Sequence, residues 1–88
     1  MKINFTETGW NDYVFWETQD KKALKKINNL IEDIMRNGHN GVGKPEALRN
    51  DMSGWWSRRI DDKNRFVYRL TGDDAVEITQ CKGHYENK

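Results

Sequence analysis

Three things are scarce in this chain: cysteine, long apolar runs, and net charge of either sign. Cys81 is the only cysteine, so no internal disulfide framework can form, and this usage suits a reducing cytosol. The opening MKINFTETGW holds no apolar stretch long enough for a secretion signal or a membrane span, so a cytoplasmic protein with no membrane partner is expected. His39, Cys81 and His84 are the only soft metal ligands and follow no ligand spacing, so neither a metal nor another cofactor is expected. A formal net charge of +1 removes the global basic signature of many nucleic-acid binders.

What is present points to one folded domain spanning residues 1–88. Hydrophobic residues make up 35% and charged ones 33%, a balance close to that of partly disordered chains. Four Trp, three Tyr and three Phe argue instead for a small aromatic-rich core, because each ring buries a large apolar area. The charge is also unevenly spread. Residues 44–69 carry seven basic side chains (Lys44, Arg49, Arg58, Arg59, Lys63, Arg65, Arg69) against four acidic ones, while residues 1–43 balance six against six. Five of the seven are Arg, whose planar fork suits bidentate phosphate contact.

Residues 2–6 alternate polar and apolar and predict a short strand. Thr6 or Thr8 can cap a helix through Trp10, Tyr13, Val14 and Trp16. Asp20 is a second N-cap, followed by Leu24, Ile27, Ile31 and Ile34 at helical spacing up to Asn37-Gly38. Lys21, Lys22, Lys25 and Lys26 fill the other face of that helix and read as a solvated surface. Three glycines make residues 37–44 a loop, and Pro45 suits the first position of a short helical turn. Strands are predicted at about 54–60, 64–71 and 75–82, joined by two hairpin turns. The order β-α-α-β-β-β implies an α+β fold, two N-terminal helices packed on a mostly antiparallel sheet.

Period-two alternation assigns faces. Phe66, Tyr68 and Leu70 share one face, and Arg65, Val67, Arg69 and Thr71 the other. Trp55, Ser57 and Arg59 likewise alternate with Trp56, Arg58 and Ile60. If the aliphatic and aromatic set meets the helices, Arg59, Arg65 and Arg69 form a cationic face with Trp55 beside it. RNA cleavage without a metal needs a base, an acid, fixed positive charge and something to hold the nucleotide in line. Glu46 is the candidate base, His84 the candidate acid, and Arg65 with Arg59 the candidate phosphate clamp. Tyr85 offers a ring or a hydroxyl for positioning. Each has a plainer reading: Glu46 as an acid in a first helical turn, His84 as a solvated terminal residue, the arginines as surface ion pairs with Asp61, Asp62 and Glu46.

Gly43-Lys44-Pro45-Glu46-Ala47-Leu48-Arg49 and Ser53-Gly54-Trp55-Trp56-Ser57-Arg58-Arg59-Ile60 resemble the YoeB/Txe toxins. Arg65-Phe66-Val67-Tyr68, His84-Tyr85, the early Trp10-Asn11-Asp12-Tyr13 and Lys25-Lys26-Ile27-Asn28 complete the pattern in order, over about residues 1–85. The resemblance implies a RelE-like mRNA interferase of microbial-ribonuclease-like fold, cutting messenger RNA in the ribosomal A site. It further implies a YefM/Axe-type antitoxin partner, operator DNA bound only through that complex, and a tendency to homodimerise. By position it makes Glu46 the general base, His84 the general acid, Arg65 the transition-state clamp supported by Arg59, and Tyr85 a positioning residue. Lys44, Arg49, Trp55 and Arg69 join Arg59 as substrate contacts. The implied products are a 2′,3′-cyclic phosphate, or a 3′-phosphate, and a 5′-hydroxyl. Gly83 departs from the bulkier residue expected before His-Tyr, which predicts a looser terminal segment, and Glu86-Asn87-Lys88 extends past the tyrosine. The rival readings are an RNA- or ribosome-binding module without catalysis, and an antitoxin-bound corepressor.

Overall fold

A computed structural model describes residues 1–84. Its first strand, β1 (Lys2–Phe5), is followed at once by Thr6, whose side-chain oxygen accepts the Gly9 amide at 3.1 Å and starts helix α1 (Glu7–Gln19). Asp20 then closes α1 and opens α2 (Lys21–Asn37), its carboxylate accepting the amides of Lys22 and Ala23 at 3.0 and 3.2 Å. Caps of this kind contribute about 1 kcal/mol each. Gly38 ends α2 at φ +62, its N–H returning to the Ile34 carbonyl at 2.9 Å. All three ends fall where the sequence places them, with Thr6 rather than Thr8 as the first cap.

Among the described residues the sheet has five strands in the order β1-β5-β4-β3-β2. After β1 these are β2 (Glu46–Ala47), β3 (Trp56–Arg59), β4 (Arg65–Thr71) and β5 (Ala75–Gln80). β1 runs parallel to β5 and every other pairing is antiparallel. The α+β expectation is therefore met, with one strand more than predicted. Pro45 starts no helical turn: Glu46 and Ala47 pair with Ser57 and Trp56, and the Leu48 amide continues the ladder to the Trp55 carbonyl at 2.9 Å. The short helical turn lies instead at Asn50–Met52. Proline is compatible with entry into an edge strand, and two residues are too few for alternation to show.

The helices cover one face only. Ile27, Leu30 and Ile34 of α2 are fully buried against Phe66, Tyr68, Val76 and Ile78. Each such side chain stabilises the fold by about 1.5–3 kcal/mol. Lys21, Lys22 and Lys25 point to solvent, in line with the solvated-surface reading, while Lys26 is half-buried. α1 lies so close to β5 that a Cβ on Gly9 would collide with the Ile78 carbonyl. Trp16 is the aromatic this helix buries, its indole N–H donating to the Cys81 carbonyl at 2.7 Å. Trp10 and Phe15 remain at the surface, 49% and 40% exposed, so the core is more aliphatic than the composition suggests.

β5 ends at Gln80, short of the predicted residue 82, because side chains of α1 take over its last backbone groups. Asp12 accepts the Cys81 amide at 3.1 Å while Trp16 holds the carbonyl. Cys81 is fully buried, and burial foremost pushes its thiol up to about 12. It is a packing residue.

Candidate active face of the sheet

Register carries the sequence alternation across the sheet. Glu46 pairs with Ser57, Ser57 with Val67, and Arg59 with Arg65. Paired residues in a sheet share a face. Glu46, Ser57, Arg59, Arg65, Val67 and Arg69 therefore stand on the face turned away from the helices, and Trp56, Arg58, Phe66 and Tyr68 on the face turned toward them. The two tryptophans separate as alternation requires: Trp56 packs against the core, and Trp55 lies under the Arg69 guanidinium at 4.5 Å.

The arginines differ in how they are held. Arg59 is exposed and follows the buried Arg58 directly. Arg69 bridges Trp55 and Glu77, donating to the Glu77 carboxylate at 2.6 Å from the adjacent strand. Arg65 corrects the expectation of an open cationic surface, since it is only 8% exposed. Its Nη1 donates to the carbonyls of Asp61, Asp62 and Asn64 at 2.8, 3.4 and 3.2 Å. The ion pairs anticipated with Asp61 and Asp62 are thus contacts to backbone oxygens. The turn that supplies them is braced by the Asp61 carboxylate, which accepts the amides of Lys63 and Asn64 at 2.8 and 2.7 Å. Burial acts to raise the Asp61 pKa, but hydrogen bonds from Asn64 and Lys63 outweigh it, so the carboxyl titrates below its ordinary value. A guanidinium fixed this way presents positive charge without needing to reorganise.

His84 reaches this region through the backbone. The Gly83 amide donates to the Asn64 side chain at 2.7 Å, and the Gly83 carbonyl accepts the Arg65 amide at 2.9 Å. Gln80 adds three donations at 3.1 Å to the carbonyls of Lys82, Gly83 and His84. Gly83 sits at φ +79, in the left-handed region that glycine occupies without a Cβ penalty. The residue expected to loosen the terminal segment is therefore tied down on both sides. Tyr85 lies outside the described residues.

Glu46 and Arg49, both exposed, flank the β2–β3 pairing on the outer edge of the sheet. Lys44 is exposed and held at φ +52, an uncommon conformation for a non-glycine residue, two positions before Glu46. β2 removes the reading of Glu46 as a helix first-turn acid. Among the described residues no three His, Cys, Asp or Glu side chains are grouped to hold a metal ion, and no helix is long and apolar enough to cross a membrane. Four contributors escaped sequence reasoning: Asn64 and Gln80, which anchor the terminal segment, Glu77, which holds Arg69, and Arg58. The first three are ordinary polar residues whose roles depend on partners that only the fold supplies. Arg58 did carry a signal, because its parity places it with Trp56 and Ile60 on the helix side.

A two-helix layer on one side of such a sheet, with arginines and a carboxylate on the other, is an arrangement shared with a bacterial toxin of known structure. The YoeB/ParE toxin from Agrobacterium tumefaciens superposes with a TM-score of 0.94 at 46% identity, covering 97% of this chain and 100% of that one. Residues 5–85 match the model of the YoeB-like toxins of bacterial type II toxin-antitoxin systems, and the chain belongs to that family. Toxin YoeB of Streptomyces coelicolor is 55% identical over 85 residues, 97% of this chain and 100% of the relative. A YoeB from Staphylococcus aureus, solved as a dimer and in complex with YefM, superposes with a TM-score of 0.89 in both, at 42% and 40% identity, covering 97% of this chain and 98% of that one.

Proposed function

We propose that this chain is an endoribonuclease toxin that cleaves messenger RNA in the ribosomal A site by acid–base catalysis with side chains alone. Glu46 takes the proton of the 2′-hydroxyl, and the 2′-oxygen attacks the adjacent phosphorus. Arg65, supported by Arg59, stabilises the charge growing on the phosphate. His84 gives a proton to the 5′-oxygen as its bond to phosphorus breaks. A 2′,3′-cyclic phosphate and a 5′-hydroxyl result, and water can later open the ring to a 3′-phosphate. Lys44, Arg49, Trp55 and Arg69 line the path of the message, and Tyr85 positions the nucleotide.

The observation that carries this reading is the anchoring of Gly83 on Asn64 and Arg65, which brings the backbone of His84 beside Arg65 at the end of the face that bears Glu46 and Arg59. Membership of the YoeB-like family supports the toxin role. The Staphylococcus aureus YoeB–YefM complex and YoeB dimer support a YefM-type antitoxin as partner and self-association of the toxin. Operator DNA is then met only through the antitoxin complex, and the site of action is the cytoplasm. Primer extension on a ribosome-bound message tests the reading. Wild-type cuts within the A-site codon should disappear in both Glu46→Ala and His84→Ala. Stalled ribosomes on intact message would make the domain a binding module.

A further inference from the structure

The strongest unexplained feature lies on the opposite face from the chemistry. Arg58 is fully buried, yet all of its guanidinium nitrogens are engaged. Nη1 donates to the Asp33 carboxylate and to the Val42 carbonyl at 3.0 Å, Nη2 to the Gly38 carbonyl at 2.6 Å, and Nε to the Tyr68 hydroxyl at 3.4 Å. Asp33 also accepts the Val42 amide at 3.2 Å. Its hydrogen bond from Arg58, foremost, holds its carboxyl below the ordinary range. His39 completes the network, stacked on Trp56 with ring centroids 3.9 Å apart and 3.2 Å from the Tyr68 hydroxyl. Three of these partners, Gly38, His39 and Val42, belong to the loop 38–44. The same loop is fastened to β3 by the Arg59 amide, which donates to the Gly43 carbonyl at 2.7 Å. It then passes through Lys44 and Pro45 into Glu46.

An ion pair between a fully buried Arg and a partly exposed Asp is a weak stabiliser alone, since apolar side chains of similar volume do as well or better. This pair does something apolar residues cannot: it binds carbonyls and an amide of a loop that forms no regular structure. We infer that Asp33 and Arg58 are positioning residues for Glu46, fixing loop 38–44 from the helix side so that β2 carries the carboxylate to its place on the open side. The inference rests on the reading of Glu46 as the base. The close fit at Gly41 gives an independent handle, because a Cβ there would collide with the Asp33 carboxylate and lie 2.9 Å from Arg58 Nη1. Gly41→Ala thus disturbs the contact between loop and ion pair while keeping both charges.

The test compares wild type, Asp33→Asn, Gly41→Ala, Glu46→Ala and the two double variants that include Glu46→Ala, in single-turnover cleavage of a ribosome-bound message. Amide hydrogen exchange at Val42 and Arg59 is followed in parallel on the free proteins. Asp33→Asn and Gly41→Ala should each slow cleavage about ten- to a hundredfold, the scale of an ångström-level misplacement. Message binding should change less than about threefold, and exchange at both amides should quicken in each single variant. In the Glu46→Ala background neither substitution should slow the residual reaction further, because they act through the residue already removed. Losses that multiply in the double variants, or full cleavage rates in folded single variants, would overturn the positioning role. Wild-type cleavage by Glu46→Ala alone would overturn it by a different route, through the failure of Glu46 as base.

Discussion

Arg58 and Arg59 are neighbours in one strand and belong to different regimes. Arg58 points toward the helices, is fully buried, and spends its donors on a carboxylate, a hydroxyl and loop carbonyls. Arg59 points the other way, is exposed, and stands opposite Arg65 on the next strand. The period of the strand sends the two side chains to opposite faces; on the far face Arg59 is exposed while Ser57, Arg65 and Val67 are buried. One face of this sheet uses arginine to hold the chain together; on the other, in the proposed function, arginine offers charge to the phosphate. The two faces meet in loop 38–44 and β2, where the buried network determines how Glu46 is presented.

The largest expected effect breaks the comparison on the open side. Glu46→Ala should lower single-turnover cleavage by about 10²–10⁴-fold, the usual worth of a general base. Because Glu46 is exposed on a two-residue edge strand, its loss should cost less than about 1 kcal/mol of stability. Urea denaturation alongside the cleavage assay separates the two quantities, and a large stability loss would place Glu46 in the scaffold. Arg58→Leu should show the reverse weighting. Removing Arg58 leaves the loop carbonyls without their donor and Asp33, whose side chain is 18% exposed, without its partner, a loss of about 1–3 kcal/mol. A midpoint of urea unfolding close to wild type would show that the buried face does not depend on this cation.

Protonation offers a gentler probe of the same face. Hydrogen bonding to Arg58 depresses the Asp33 pKa, so the unfolded chain binds a proton there more readily than the folded one. The stability this contributes is fully present above the ordinary carboxylate range and is lost as pH falls through the depressed folded value. His39 adds a second limb of the same sign: burial first, then the charge of Arg58, lowers its pKa, so stability begins to fall once pH drops below about 6.5. His39→Phe keeps the ring stacked on Trp56 and should flatten the decline that begins below about pH 6.5, leaving the carboxylate limb in place. Thermal melts across that range check it, and an unchanged slope would mean His39 is not the group that titrates.

How much of this was legible follows the same division. The caps at Thr6 and Asp20, the apolar stripe of α2 and the opposite faces of Phe66 and Arg65 rest on local chemistry and periodicity, so the residues alone suffice for them. β2 does not, because two residues show no period and Pro45 admits either a helical turn or an edge strand. The burial of Arg65 was hidden because its partners are main-chain oxygens of a turn, invisible to any count of side-chain charges. Arg58 was half visible: parity put it among core residues, and a core arginine demands an acidic partner. Which acid answers it depends on how α2 lies across β3, and Asp33 is 25 residues away. Of the proposed site, residue types and strand faces were readable, while the anchoring of the His84 segment by Asn64 and Gln80 arises only in three dimensions.

The smallest expected effect sharpens the comparison, because it concerns an ion pair on the open face. Glu77 and Arg69 meet at 2.6 Å with side chains 27% and 45% exposed, against complete burial of Arg58. Solvent screening and the entropy of two long side chains limit such a pair to about 0–1 kcal/mol, so Glu77→Gln should barely move the unfolding midpoint. Its effect should fall on the ligand instead. Neutralising Glu77 removes one negative charge from the open face and, on the proposed function, leaves Arg69, still stacked on Trp55, free to attend to phosphate. Message binding should tighten about two- to threefold at low ionic strength, and the gain should fade as salt shortens the screening length to a few ångströms. Weaker binding would mean that Glu77 orients Arg69 rather than competing for it, and the Arg69–Trp55 stack would then depend on the carboxylate beside it.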